Sequence, residues 1–111
     1  MIPKDQWVWY GFAGHFIGGH SCAYHLCTRI GNKVISTVGA YYPRSQEEMV
    51  TLGIGPEDYY ETMIFECDGE DENGNPNIHV FTELERHMYG DSLKAEQGHR
   101  AICDRIAKGD E

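Results

Sequence analysis

The clearest periodic pattern in the chain lies between residues 21 and 41. Two β-prone runs, SCAYHLCTRI and KVISTVGAY, flank Gly31-Asn32. A glycine-containing dipeptide between two such runs is a two-residue hairpin signal. It sets Ile30 opposite Lys33, Thr28 opposite Ile35, Leu26 opposite Thr37 and Tyr24 opposite Gly39. Side chains alternate between faces along a strand. One face therefore carries Cys22, Tyr24, Leu26, Thr28, Ile30, Ile35 and Tyr41, and reads as core. The other carries Ala23, His25, Cys27, Arg29, Val34, Ser36, Val38 and Ala40.

Around this hairpin, residues 7–10 (WVWY) read as a first or edge strand, preceded by a polar, frayed stretch over 1–6. Residues 59–67 (YYETMIFEC) are a strong strand. Residues 78–81 (IHVF) form a further strand pairing back on 60–67, across a long acidic turn over 68–77. Residues 82–90 fit either an extension of that strand or a helical turn. Ser45 with Glu48 has capping-box spacing, and Gly53 supplies a stop, so 46–52 is a short helix. Asp91 or Ser92 caps a last helix over roughly 93–107. Its inner stripe is Ala95, Gly98, Ile102 and Ile106. Gly98 costs a helix about 1 kcal/mol relative to Ala, so its presence predicts close packing. The pattern describes one α+β domain. An antiparallel sheet of about four strands packs against a C-terminal helix, with one short helix in a connection.

Length and composition fit that picture. The chain has 111 residues, 41% hydrophobic and 12% aromatic, enough for one core. No apolar run nears the roughly 18 residues that would span a membrane. The N-terminus lacks the features of a signal peptide, which predicts a cytosolic protein. Four cysteines are expected to be free and buried in that compartment.

Charge changes the picture more. Residues 1–55 hold four Lys/Arg against three Asp/Glu, whereas 56–111 hold five against fifteen. An acidic second half argues against direct binding to nucleic-acid phosphates and favours a basic partner. Glu66, Asp68, Glu70, Asp71 and Glu72 would form a patch, extended by Glu83 and Glu85 if 78–85 pairs with 60–67. The segment DGEDENGNPN is not a calcium loop. Aligning Asp71, Asn73 and Gly74 to the central positions leaves Gly69 and Val80 where carboxylates are required.

Other chemistry is thinner. His15, His20, His25 and Cys27, with Cys22 nearby, are zinc-ligand types within thirteen residues. On a strand, however, Cys22 points away from His25 and Cys27. A zinc site would need His25 and Cys27 from one face plus distant partners such as His15, Cys67, His99 or Cys103. Cys27, His25 and Ser36 share one hairpin face, as an activated thiol would require, but nothing marks an oxyanion hole or an orienting carboxylate. His15 and His99 both flank glycines and form a conceivable proton-transfer pair. The glycines at 11, 14, 18 and 19 make a loop that could line a ligand but give no phosphate-binding motif. Trp7, Trp9, Tyr10, Phe12, Phe16, Tyr41 and Tyr42 are core candidates, and any left exposed would mark an interface or a base-stacking pocket.

With these landmarks placed, the chain resembles a family of small bacteriophage and prophage proteins. The resemblance rests on Trp9-Tyr10-Gly11, Gly14-His15-Phe16-Ile17, His25-Leu26-Cys27-Thr28, Val34 with Ser36-Thr37-Val38-Gly39, Tyr60-Glu61-Thr62-Met63 with Phe65, and Ala95 with Gly98-His99. It covers nearly the whole length and carries no catalytic signature. It implies a virus-encoded protein acting in the bacterial host cytoplasm. The expectation is a non-enzymatic accessory protein whose acidic half binds and inhibits a host protein with a basic surface, such as a defence or nucleic-acid-handling factor. The rival expectations are a zinc protein using residues 15–27 and a small-ligand or nucleotide-sequestering protein.

Overall fold

The computed structural model describes residues 1–11, 24–39, 60–79 and 84–109. Within them lie a short 3₁₀ turn (Lys4–Gln6), six strands and one long helix. The strands are β1 (Val8–Tyr10), β2 (Tyr24–Ile30), β3 (Lys33–Gly39), β4 (Tyr60–Glu70), β5 (Pro76–His79) and β6 (Glu85–Tyr89); the helix is α1 (Ser92–Ala107). All strands join one antiparallel sheet in the order β1-β2-β3-β4-β5, with β6 also paired to β4.

The β2–β3 hairpin has the register its sequence predicts, from Ile30↔Lys33 to Tyr24↔Gly39. Gly31 turns it at φ +61°, a left-handed conformation in which a side chain would be strained. The sheet has six strands where about four were expected, because β4 serves two partners on one edge. Its first half, Tyr60 to Ile64, pairs with β6. Its second half, Glu66 to Glu70, pairs with β5. Residues 85–89 are thus a strand and not a helical turn, while 82 and 83 lie outside the described residues. The acidic turn is also shorter than expected: β4 continues to Glu70 and β5 begins at Pro76. Proline is tolerated there because the first residue of a strand need not donate to the ladder. The expected helix over 46–52 lies outside the described residues.

One face of the sheet meets α1. Ile30, Ile35 and Ile64 pack against Ile102, Cys103, Ile106 and Ala107, with Ile2 and Trp7 closing the margin. Burying each such aliphatic side chain contributes about 1.5–3 kcal/mol. The opposite face buries Cys27, Val34 and Cys67 together, with Tyr10 and Ile78 packed on them. The helix starts at Asp91, whose Oδ1 accepts from the Lys94 N–H at 2.7 Å. It stops at Gly109, whose φ of +93° ends the helical run. The N-terminal residues, expected to fray, are pinned instead. The Ile2 N–H donates to the Ala107 carbonyl at 2.7 Å, and the Trp7 indole donates to the Ile2 carbonyl at 3.2 Å.

Gly98 answers the expectation of close packing. A Cβ there would collide with the Tyr89 ring, whose hydroxyl end lies against the helix at this glycine. No helix among the described residues is long and apolar enough to cross a membrane.

Candidate functional site

The acidic hairpin at the end of β4 is built by three local devices. Gly69, at φ +66°, sits within a register shift between Cys67 and Glu70. Asp71 closes the turn, its Oδ1 accepting from the Asn73 N–H at 2.8 Å and the Asn75 N–H at 3.1 Å. Gly74, at φ +80°, completes it. Residues 68–75 are all exposed and carry Asp68, Glu70, Asp71 and Glu72.

The expected patch is therefore not one flat face. The bulge turns Glu70 away from Glu66 and Asp68 and toward the side of the sheet that holds Tyr10 and Arg29. There the Tyr10 hydroxyl donates to Glu70 at 2.8 Å and accepts from Arg29 Nε at 3.0 Å, and Arg29 lies 3.7 Å from Glu70. Burial holds the Tyr10 phenol above its usual range. Asp68 pairs with His79 at 2.6 Å, and Glu66 sits 3.9 Å from the Lys33 ammonium. Glu72 lies exposed at the tip. Glu85 is remote from the tip. Arg105 grips both of its oxygens at 2.7 Å, and His87 lies 3.0 Å from it. Chiefly through Arg105, its carboxyl titrates below the usual range. Glu83 lies outside the described residues.

His15, His20 and Cys22 also lie outside the described residues. Of the remaining zinc candidates, His25 is exposed on β2 and Cys27 is fully buried, packed with Val34 and Cys67. Among the described residues no three His, Cys, Asp or Glu side chains gather closely enough to hold a metal ion. The activated-thiol arrangement does not fit the geometry. Burial, reinforced by Cys67 and then Cys103, pushes the Cys27 thiol up to about 12, so it carries no thiolate near neutrality. Cys67 and Cys103 are likewise free and buried, and burial raises both.

A polar constellation that the sequence reading missed lies between sheet and helix. His99, one turn beyond Ala95 on α1, has no solvent exposure. Its Nε2 meets Thr28 Oγ1 at 2.8 Å and its Nδ1 meets Thr37 Oγ1 at 2.8 Å. Thr37 in turn meets Thr62 Oγ1 at 2.5 Å. The three threonines come from β2, β3 and β4 and are fully buried. Burial holds His99 down to about 4, with Arg100 adding to the shift, so the ring is neutral. A neutral imidazole donates from one nitrogen and accepts at the other. The chain Thr62–Thr37–His99–Thr28 can then run in either direction with every link made. Trp9 covers the ring at a centroid distance of 5.5 Å. Sealed in this way, the constellation locks α1 to three strands rather than presenting a group to substrate. Its one advance signal was register: Thr28 and Thr37 fall on the hairpin face that reads as core.

Comparison with family models, curated proteins and solved structures gave no match, so the chain's own geometry carries the functional reading.

Proposed function

We propose that this is a non-enzymatic binding protein whose acidic hairpin docks against a basic surface of a partner protein. The observation that supports it is the run of eight consecutive exposed residues, 68–75, bearing four carboxylates on a turn fixed by its own hydrogen bonds. A preformed turn loses little conformational entropy on binding, and concentrated like charge speeds encounter with an opposite charge. Arg29 offsets part of that charge and His79 hydrogen-bonds Asp68 at the root of the hairpin, leaving Asp71 and Glu72 at its tip. The resemblance to phage proteins suggests a bacterial host protein as the partner. A defence or nucleic-acid-handling factor has the basic surface that such a hairpin complements, and occupying that surface would inhibit it.

The test keeps Asp71, which holds the turn, and neutralises its neighbours in an Asp68→Asn/Glu70→Gln/Glu72→Gln variant. Affinity capture from bacterial lysate at low and high salt identifies partners whose retention falls with salt. A partner retained by the wild type and lost by the variant supports the reading. Equal retention by both contradicts it.

A further inference from the structure

We propose that a second site, the cleft between the N-terminal turn, β1 and α1, binds a small aromatic anion of the nucleoside monophosphate class. The cleft has a volume of about 190 Å³ and is lined by Lys4, Trp7, Trp9, Arg100 and Asp104. Trp9 is 42% exposed, an unusual state for a residue with so much apolar area. One side of its ring is backed by His99, which Thr28 and Thr37 hold in place. The indole itself is held in place, and a base can stack on it once the Arg100 guanidinium that lies over the ring swings aside.

Each indole also carries a cation. The Arg100 guanidinium lies 5.2 Å from the Trp9 centroid, and the Lys4 ammonium lies 5.9 Å from that of Trp7. Arg100 pairs with Glu96 at 3.5 Å, but both side chains are about half exposed. Such a pair is weak, and an incoming phosphate can draw the guanidinium away. Two cations against Asp104 and the Glu96 carboxylate leave the cleft close to neutral in a chain of net charge −9. That contrast selects for size of charge. A single phosphate meets two donors, whereas a nucleic-acid strand would run over acidic surface. The volume suits one base on the indoles, with ribose and phosphate reaching outward to Arg100 and Lys4.

The chain has two tryptophans and both line this cleft, so intrinsic fluorescence reports on it directly. The probes are AMP, adenosine, inorganic phosphate and a 5′-phosphorylated oligoadenylate, with excitation at the red edge of indole absorption. AMP should quench saturably with a Kd on the order of 0.1–1 mM. Adenosine should bind at least about fivefold more weakly, and phosphate alone should leave the emission unchanged. Lys4→Gln and Arg100→Gln alter exposed side chains and should leave the far-ultraviolet circular dichroism intact. Each should weaken AMP by about fivefold or more while leaving adenosine unaffected. Absence of saturable quenching by AMP at about ten times that concentration would overturn the proposal. So would undiminished AMP binding by both variants, or tighter binding of the oligoadenylate than of AMP.

Discussion

Lowering the pH should weaken the protein through His99, and the size of the effect follows from its burial. In the folded chain the ring titrates at about 4, against an ordinary value of 6.5. The unfolded state therefore binds more protons between those values. Stability from this group is complete above about pH 6.5 and is lost progressively as the pH falls toward about 4. Each unit of separation is worth about 1.4 kcal/mol, so the loss amounts to about 3 kcal/mol. That is a large share of the roughly 5–15 kcal/mol that holds a small domain. Other groups also respond to acid. Glu85, held low chiefly by Arg105, loses its contribution as the pH falls below the ordinary carboxylate range. A His99→Gln variant separates the two effects, because glutamine does not titrate yet can bond hydroxyls on both sides. Urea unfolding from about pH 7 to about pH 4 should show the wild type losing about 3 kcal/mol more than the variant. Parallel losses in the two proteins would refute the neutral, sealed histidine.

Further expectations follow from the same packing. Gly98→Ala should destabilise by more than 1 kcal/mol despite the helix propensity gained, because its Cβ meets the Tyr89 ring, and Tyr89→Leu should restore much of the loss; thermal unfolding of the single and double variants checks this. Arg105→Gln should move the Glu85 titration upward in a carboxyl NMR experiment, and should cost no more than about 1 kcal/mol because both partners are partly exposed. Cys27, Cys67 and Cys103 should resist a thiol reagent in native buffer and react promptly in denaturant, as buried thiols with raised titration do.

How much was legible in advance divides along the range of the interactions involved. The β2–β3 register follows from one glycine and a period of two, and α1 from a capping aspartate and a period of 3.6. Both are local signals, and both appear in the structure. β6 was ambiguous because ERHMY has little strand character of its own; its pairing depends on the distant edge of β4, the Glu85–Arg105 pair and the space left by Gly98. The same holds for the N-terminus, pinned by a hydrogen bond to the far end of α1. The acidic residues were visible as a cluster, but the bulge at Gly69 that divides Glu70 from Glu66 and Asp68 was not, since a glycine amid carboxylates reads as plain turn. His99 was noticed for its type and set beside His15 or a zinc site, not beside the threonines that hold it. Threonines in strands read as β-formers, and only the assembled sheet aligns three of them under one helical histidine.

The central claim is that the hairpin over 68–75 carries binding, and one titration tests it most directly. A partner captured in a salt-dependent manner is purified and titrated calorimetrically with the wild type and with Asp68→Asn/Glu70→Gln/Glu72→Gln at two salt concentrations. The account predicts at least about tenfold weaker binding by the variant at low salt, and a shallower dependence on salt. Equal affinities with equal salt dependence would contradict it.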